Sequence, residues 1–520
     1  MSKHLILPFI FVFITQFTFA ADDSQVPPIT NLGQIAKALQ LQKFNGQNFG
    51  RKIKVAILDN GFGDYESEKG KGLPANTKYH GGASSAADKF ENQVFHGLLM
   101  AKIVAQVIKK SGAESNYELH LYNSYGYKKF ESAVKSVIKN RFDIVLYSQT
   151  WEFGGNGDSK GFINALVDKA VAAGIVWVNA AGNFGQSTRT EPIVGRREKS
   201  GEWVIFKNKG NKIADGVKVT CHAEKNEECN LRLVLAWNDF KDQVKVGTDK
   251  DLDLFLYDRN KKLIASSELH QKISKDPSDP LTSLVPRETV SLNVKPGDYI
   301  ARVKIVSDNF SSDDDQLRLT LSGYQMGMSA FRPNETILPP ADNPGVITVG
   351  TTNDPNSSRS KELGRPDVSL GVGVKLKGSS ILYSTSISAA IAAAYSVLEV
   401  GTGTPNNREA VLAALRAVAG TQQGPTAAGC LKPHYDIPMR YNWVDVLLSG
   451  GGVTPVLQEG QIIFFTNYNF AKVNGIRLQS RSQAIYLTPV GTLVTERIPD
   501  PAAIPFGYYE IRGSKLKACN

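Results

Sequence analysis

The sequence contains little of what usually marks a metal-binding, membrane-spanning or nucleic-acid-binding protein. Only four of its 520 residues are cysteines, and no two form a Cys-x-x-Cys pair, which argues against a cysteine zinc site. After the first twenty residues no apolar run is long enough to span a bilayer, so we expect no integral membrane segment in the mature chain. The net charge of +10 is scattered, without a basic helix or arginine-rich run, which favours a solubilising surface over a nucleic-acid site.

The first twenty residues have the pattern of a targeting segment. Lys3 and His4 precede the apolar run Leu5–Phe19, and Thr18–Ala20 approximates a small-residue cleavage site. The apolar run has about 15 residues, whereas a spanning helix needs ~20. The pattern therefore predicts a signal peptide over residues 1–20 and a secreted or periplasmic protein.

Export permits disulfide bonds between the four cysteines. Cys221 and Cys229 bracket a short charged turn, and Cys519 would secure the end of the chain if it bonded to Cys430. Four cysteines allow three pairings. We expect the pairs 221–229 and 430–519.

Strand and helix patterns alternate in the first part of the chain. Apolar, β-branched runs predict strands at Ile53–Leu58, Glu118–Tyr122, Asp143–Tyr147 and Ile175–Asn179. Helical periodicity separates them at Leu98–Lys110, Phe130–Asn140 and Lys160–Ala173, and the pattern resumes with a strand at Val346–Gly350 and helices at Thr385–Leu398 and Arg408–Val418. This order predicts an α/β fold, a doubly wound parallel sheet with helices on both faces.

A β-rich stretch interrupts that pattern. Short strand-like runs separated by turn residues occur at Trp203–Phe206, Lys218–Cys221, Leu231–Ala236, Leu252–Tyr257, Val290–Val294, Tyr299–Ile305 and Leu317–Leu321. They predict an inserted β-sandwich. Further runs at Ile462–Phe465, Gly475–Leu478, Ala484–Leu487 and Tyr508–Ile511 predict a small C-terminal β module. The predicted units are 1–20, a signal peptide; 21–190 with 330–450, the α/β domain; 191–329, the inserted sandwich; and 451–520, the β module.

Four residues lie where an α/β sheet of this kind places its active site. Asp59 ends an apolar strand, His96 precedes a helix, Asn183 follows another strand in Ala-Gly-Asn, and Ser386 begins an Ala-rich helix. Each alone has an ordinary alternative: a turn aspartate, a structural histidine, a turn asparagine or a helix-capping serine. His80, in a Gly-rich loop, is the only rival histidine. Together the four supply a nucleophile, a base, an orienting carboxylate and an oxyanion donor.

In this order the residues resemble the subtilisin-like serine peptidases. The resemblance covers roughly residues 31–190 and 330–450 and implies a catalytic triad of Asp59, His96 and Ser386, with Asn183 in the oxyanion hole. The interval of 203 residues between Asn183 and Ser386 is long, and the insertion accounts for it.

The chain departs from the family's motifs at three positions. Leu98 replaces the usual Thr after His-Gly, Ser384 replaces the Gly before Thr-Ser, and Ala390 stands where the family has Pro. These departures leave the loop geometry open, although every residue of the predicted triad is present.

The resemblance also implies a substrate-binding edge after the strand that ends at Tyr147. That edge would be Ser148-Gln149-Thr150-Trp151, where the family usually has Ser-Leu-Gly-Gly. Thr150 and Trp151 would fill the space that the glycines leave open, which predicts small residues before the scissile bond. An alternative alignment places Gly154-Gly155 at the pocket, with Trp151 bulging into a loop, and leaves room for Leu or Phe.

The β-rich insertion resembles the bacterial pre-peptidase C-terminal domain, through Asp251-Leu252-Asp253-Leu254 and Pro296-Gly297-Asp298-Tyr299. This resemblance allows a Ca²⁺ site at the alternating aspartates, with Asp313-Asp314-Asp315 as further candidate ligands. A solvated acidic loop is the alternative for that run. No cofactor is required for the predicted chemistry.

The sequence thus predicts a secreted serine endopeptidase that hydrolyses peptide bonds through an acyl-enzyme. The substitutions at Leu98, Ser384 and Ala390 motivate the alternative, a catalytically silent binding scaffold. A hydrolase of non-peptide esters is a third interpretation. The expected partner is a protein or peptide substrate.

Overall fold

The structure, a computed structural model, describes most of the chain up to residue 419. The described ranges are 26–81, 95–208, 212–224, 227–274, 278–323, 325–352, 354–379 and 381–419, followed by the backbone of six strands between 433 and 519. The predicted signal peptide, Cys430 and the predicted strand Gly475–Leu478 lie outside the described residues.

The helices and strands are numbered in chain order. The α-helices of the described ranges are α1 (Leu32–Ala38), α2 (Tyr65–Glu68), α3 (His96–Lys110), α4 (Tyr127–Lys139), α5 (Phe162–Ala172), α6 (Thr385–Gly401) and α7 (Arg408–Ala419), with a 3₁₀ turn at Leu41–Phe44. The first strands are β1 (Ile53–Asp59), β2 (Lys78–His80), β3 (Tyr117–Asn123), β4 (Ile144–Tyr147) and β5 (Val176–Ala180).

The middle of the chain is composed of strands. They are β6 (Thr188–Pro192), β7 (Gly195–Glu198), β8 (Gly201–Val204), β9 (Phe206–Lys207), β10 (Ile213–Ala214), β11 (Val217–Cys221), β12 (Cys229–Trp237), β13 (Leu252–Asp258), β14 (Leu263–Ser267), β15 (His270–Gln271), β16 (Thr282–Ser283), β17 (Arg287–Val294), β18 (Gly297–Ile305), β19 (Gln316–Ser322) and β20 (Met326–Met328). The last strands are β21 (Ile347–Thr351), β22 (Val368–Leu370), β23 (Val374–Lys375), β24 (Ile381–Leu382), β25 (Pro433–Pro438), β26 (Ile462–Thr466), β27 (Ala484–Thr488), β28 (Gly491–Thr495), β29 (Gly507–Arg512) and β30 (Lys515–Cys519).

A seven-stranded parallel sheet forms the centre of the α/β part, in the order β2-β3-β1-β4-β5-β21-β22. All its neighbouring strands run parallel, which confirms the predicted α/β class with a parallel sheet. The edge strands β2 and β22 have three residues each, too short for an apolar run to reveal them. His80 accordingly lies in β2, where a loop was expected.

Helices cover both faces of this sheet. In β1, Val55 and Ile57 belong to the apolar cluster that includes α3 and α6, whereas Ala56 and Leu58 belong to the cluster that includes α4 and α5. Because successive side chains of a strand point to opposite faces, a strand buried on both sides must be apolar throughout. That requirement explains the continuous apolar run before Asp59.

Two antiparallel sheets account for the middle of the chain. One has the order β17-β12-β19-β6, and the other is built on β14-β13-β18-β11-β20. Side chains from both form a single apolar cluster, as in two sheets packed face to face. The predicted strand Trp203–Phe206 is wrong as one element, because the chain leaves β8 at Val204 and pairs again in β9. The assignment of these sheets to a separate domain stays a prediction.

One predicted disulfide joins two strands of this part. Cys221 and Cys229 are bonded, with Cα atoms 5.7 Å apart, at the end of β11 and the start of β12. The predicted pair 430–519 stays a prediction, because Cys430 lies outside the described residues. Near the C-terminus the described strands β25 to β30 form an antiparallel sheet. No helix in the described ranges has the length and apolar character needed to traverse a bilayer.

The start of α3 is fixed against the turn that follows β1. The backbone N–H of Gly97 donates to the carbonyl oxygen of Asn60 over 2.8 Å, which satisfies one of the free N–H groups of a helix N-terminus. A Cβ atom at residue 97 would lie 2.7 Å from the Phe62 ring and 2.9 Å from the Asn60 carbonyl oxygen. Only glycine therefore lets the helix approach this turn so closely, and the approach sets the position of His96.

Replacing Gly97 by alanine should therefore destabilise the protein. We expect Gly97→Ala to lower the free energy of unfolding by about 1–3 kcal/mol, the usual cost of overpacking. Gly33 is a matched control because it is also the second residue of a helix and has no atom within 4 Å of a built Cβ. Gly33→Ala should be neutral or stabilising by up to ~1 kcal/mol. Urea unfolding of both variants tests this, and equal losses would contradict it.

Candidate active site

The carboxyl ends of the parallel strands place Asp59 at the centre of a hydrogen-bond network. Its side chain is fully buried and accepts the backbone N–H of Asn60 at 2.7 Å. It also accepts the side-chain amide of Gln149 at 2.8 Å and the hydroxyl of Ser148. Ionised carboxylates are retained in protein interiors only when donors compensate for lost hydration. Asp59 has such donors, in addition to the histidine described next.

His96 is the first residue of α3 and faces Asp59. Its Nδ1 lies 2.9 Å and 3.0 Å from the two carboxylate oxygens. A carboxylate can only accept, so Nδ1 carries the proton and Nε2 is left with the free lone pair. His96 is therefore held in the tautomer that a general base requires.

The electrostatic environment of His96 has two opposing components. Burial lowers the pKa of the imidazole, since it penalises the charged form, but the negative charge of Asp59 and its hydrogen bond raise it by more. The net effect raises the pKa of His96 above its ordinary value of 6.5. Asp59 thus stabilises an imidazolium at this position.

Ser386 lies on the first turn of α6. The N-cap of this helix is Ser384, whose hydroxyl accepts the N–H of Ile387 at 3.2 Å. The alternative interpretation of Ser386 as a helix cap is therefore wrong, because Ser384 has that role. As the second helical residue, Ser386 presents its own N–H among those with no partner inside the helix. Its hydroxyl donates to the carbonyl oxygen of Ser148 at 2.9 Å.

Asn183 follows β5 and contacts the same helix start. Its Oδ1 accepts from both the backbone N–H of Thr385 at 3.1 Å and the hydroxyl of Thr385 at 3.0 Å. A backbone N–H can only donate, so the amide orientation is determined, with the NH₂ group turned away from Thr385. The Thr385 hydroxyl in turn accepts the N–H of Gly182 at 3.1 Å. Thr385, which sequence reasoning did not single out, thus orients Asn183.

The four residues predicted as a substrate-binding edge separate into two pairs. Ser148 and Gln149 contact Asp59 directly, as described above. Thr150 lies beside the Asn183 loop, because a Cβ built on Gly182 would be 3.2 Å from its Oγ1. The Trp151 ring instead lies 5.6 Å from the Phe130 ring and packs, partly buried, against the cluster on the α4 and α5 side of the sheet.

Gly154 and Gly155 have little free space around them. A Cβ at residue 154 would lie 2.6 Å from Ile163, and one at residue 155 would lie 2.8 Å from Pro339. Neighbouring side chains therefore pack directly against both glycines, and the choice between the two alignments stays a prediction.

The rival histidine is engaged elsewhere. His80 Nε2 lies 3.0 Å from Nδ1 of His120, and its ring stacks 4.2 Å from that of Tyr122. His80 therefore packs against β3 and not against Asp59.

The candidate calcium ligands lie in different surroundings. Asp251 and Asp253 are buried at β13, whereas Asp315 forms an ion pair with Lys250 at 2.6 Å and Asp314 accepts the hydroxyl of Ser311. In the part of the chain that the structure describes, no group of three or more His, Cys, Asp or Glu side chains is arranged to hold a metal ion. The Ca²⁺ site stays a prediction.

The three departures from the family's motifs are accommodated locally. Leu98 and Ala390 are fully buried in the apolar cluster between α3 and α6, and Ser384 caps α6. None of the three removes a contact of Asp59, His96 or Asn183 described above.

Curated proteins similar to this chain are subtilisins, although no protein-family model matches it. Subtilisin E of Bacillus subtilis (strain 168) is 27% identical over 210 residues, covering 35% of this chain and 51% of that protein. The subtilisin of Bacillus pumilus is 28% identical over 170 residues, with 30% and 56% covered. Subtilisin DY of Bacillus licheniformis is 31% identical over 163 residues, with 29% and 53% covered. The chain spans about half the length of the curated relatives it matches.

Among solved structures, the CspB protease of Clostridium perfringens is similar, with 13% identity, a TM-score of 0.38, and 70% of this chain and 85% of that chain covered.

The raised pKa of His96 can be measured directly. We expect NMR titration of its imidazole to give a midpoint above 6.5 in the native protein. Asp59→Asn should bring it below 6.5, since the opposing effect of burial then acts alone. Because the folded pKa is raised, the stabilisation from the protonated pair is present below 6.5 and is lost as the pH rises through the folded pKa. An unchanged midpoint in Asp59→Asn would contradict this account.

Proposed function

We propose that this subtilisin-like chain is a serine endopeptidase with Ser386 as nucleophile, His96 as general base and Asp59 as the group that orients the base. The observation that carries the proposal is the meeting of three distant segments at one sheet edge. Asp59 accepts from His96 and from the Ser148 hydroxyl, while the Ser148 carbonyl accepts the hydroxyl of Ser386. The similarity to subtilisins supports the same reading.

The proposed mechanism uses each group at a stated atom. The Ser386 hydroxyl turns from the Ser148 carbonyl towards His96 Nε2, which takes its proton as the oxygen attacks the scissile carbonyl. Asp59 stabilises the imidazolium that forms, and His96 then protonates the leaving amine. The NH₂ group of Asn183 and the N–H of Ser386 donate to the oxyanion.

The proposed substrate is a peptide that adds as a strand along Ser148–Trp151. Within the described ranges, the peptide N–H and carbonyl of Thr150 make no hydrogen bond, which leaves them available for an added strand. The signal-peptide pattern of residues 1–20 supports secretion or periplasmic location as part of the proposal.

One observation favours the alternative, a catalytically silent scaffold. In this structure the Ser386 hydroxyl donates to Ser148 and not to His96. Catalytic hydrogen bonds are often loose before substrate binds, so this contact alone does not decide. A fluorophosphonate probe tests the proposal, because only an activated serine reacts rapidly. Labelling of the wild type that disappears in Ser386→Ala supports the enzyme, and an unlabelled wild type supports the scaffold.

Removing the nucleophile or the oxyanion donor should abolish or strongly reduce turnover. We expect Ser386→Ala to eliminate peptidase activity with a melting temperature within a few degrees of wild type, since only one hydroxyl contact is lost. Asn183→Ala should lower kcat by roughly 10²–10³-fold, the effect of losing one oxyanion donor. Asn183→Asp is the matched variant, because it keeps an acceptor for Thr385 but replaces the NH₂ donor. Wild-type turnover in any of the three would refute the assignment.

The position of Thr150 leads to a prediction about specificity. We expect a preference for small residues such as Ala or Ser before the scissile bond. Thr150 lies beside the Asn183 loop, and neighbouring side chains pack directly against Gly154 and Gly155. Thr150→Gly should shift the preference towards larger residues. Trp151→Phe, which keeps a ring against Phe130, should leave the preference unchanged. Digestion of a denatured protein by each variant, with cleavages counted by residue type, tests this, and dominant wild-type cleavage after large aromatics would contradict it.

A further inference from the structure

The outer face of one antiparallel sheet is turned towards the α/β part. Along β12, Leu231, Leu233 and Leu235 lie in the cluster between the two antiparallel sheets. Side chains alternate along a strand, so Arg232 and Ala236 point the other way. Ala236 indeed belongs to the cluster that contains α4 and α5.

Three arginines line this outer face. Ala236 is paired with Arg287 of β17 on one side and with Arg318 of β19 on the other. Residues paired across neighbouring strands share a face, so both arginines lie on the same face as Arg232. Arg318 is 9% exposed, so this face is not a solvated surface.

Each arginine contacts a successive part of the segment 152–155. Arg232 donates from Nε and Nη2 to one carboxylate oxygen of Glu152, at 3.1 Å and 2.9 Å. The Arg287 guanidinium lies 4.2 Å from the centre of the Phe153 ring. Arg318 Nη2 donates to the Gly155 carbonyl oxygen at 3.2 Å. The contacts therefore fall on three of the four residues of this segment, 152, 153 and 155.

The Arg232–Glu152 pair is largely shielded from water. Their side chains are 19% and 11% exposed. The second carboxylate oxygen of Glu152 accepts the hydroxyl of Ser322 at 3.2 Å. In a shielded pair, loss of one partner leaves the other charge buried without compensation. The position of Glu152 therefore depends on Arg232.

The held segment is continuous with the proposed substrate edge. Glu152 comes directly after Trp151, whose N–H donates to the Pro339 carbonyl oxygen at 2.7 Å. One residue earlier is Thr150, whose peptide groups make no hydrogen bond to the part of the chain that the structure describes. A shift at residue 152 therefore displaces the edge where a peptide would pair.

We infer that Arg232 is a positioning residue for substrate binding, which holds the edge Ser148–Trp151 through Glu152 in the conformation that accepts an extended peptide. This inference rests on the proposed function. The antiparallel sheets then contribute to recognition through the segment 152–155. An edge held before binding spares the substrate the cost of ordering it.

The inference predicts a loss that depends on substrate length. Arg232→Met keeps much of the stem but removes the charge. We expect it to lower kcat/KM for an acyl-tetrapeptide anilide by roughly 10–100-fold, the size of effect caused by small misplacement of a bound group. Most of the loss should appear in KM. For p-nitrophenyl acetate, which is too small to pair with the edge, kcat/KM of Arg232→Met should stay within about twofold of the wild-type value.

Two further variants separate positioning from folding. Arg232→Lys keeps the charge but not the two-nitrogen contact and should show an intermediate loss. The double variant Glu152→Gln with Arg232→Met removes the carboxylate that Arg232→Met alone leaves buried without a partner. It should therefore fold more readily than the single variant, although it still lacks the ion pair between residues 152 and 232. It should show the same length-dependent loss. Lys218→Met is the matched control, because Lys218 forms an exposed ion pair with Asp298 in the other antiparallel sheet.

Titration with a fluorophosphonate counts competent active sites in each preparation. The inference is supported if the wild type is labelled and the ratio of tetrapeptide to ester hydrolysis falls in the Arg232 variants. In Lys218→Met the same ratio should not fall. A labelled wild type whose ratio is unchanged in Arg232→Lys and in the double variant overturns the inference alone. A wild type that neither labels nor hydrolyses any substrate overturns the proposed function, and the inference with it.

Discussion

The geometry of the candidate site depends on the burial of one carboxylate. Asp59 is fully buried, and the free energy of removing its charge from water must be offset by hydrogen-bond donors. Those donors come from three parts of the chain: Asn60 after β1, His96 at the start of α3, and Ser148 with Gln149 after β4. The carboxylate is satisfied only when these segments meet. The same condition that stabilises the fold at this edge therefore brings the imidazole and the Ser148 carbonyl into place.

Much of this edge could be predicted from the sequence because strands buried on both faces leave a clear pattern. The apolar run before Asp59 and the position of His96 at the start of a helix follow from local chemistry alone. The role of Thr385 does not, because it orients Asn183 across 202 residues of chain through a side-chain contact. The interpretation of Ser386 as a helix cap was likewise open until the extended backbone of Ser384 showed that Ser384 is the cap.

The outer face of the sheet with three arginines shows another limit of sequence reasoning. In β12, Asn230 and Arg232 alternate with the leucines Leu231 and Leu233, a pattern typical of a strand with one face in water. Arg232 matches that expectation in pattern, yet it is largely covered by the segment that follows β4. Similarly, the position of Trp151 after a strand predicts a residue of the substrate pocket, but its ring packs against Phe130 of α4. Which surface covers a face is decided by contacts distant in sequence, which leave no periodic signal.

The long β-rich stretch between Asn183 and Ser386 is compatible with a compact site because its two ends meet. The N–H of Arg332 donates to the carbonyl of Thr188 at 2.9 Å, so the chain leaves and returns at one point. At that point Glu191 is paired with both Arg189 and Arg332. The entropy cost of closing a loop grows only by about 0.6 kcal/mol for each doubling of its length, so a long stretch between adjacent ends costs little more than a short one. A second set of contacts, through the arginines of β12, β17 and β19, joins the same β-rich stretch to residues 152–155, directly after the segment that follows β4.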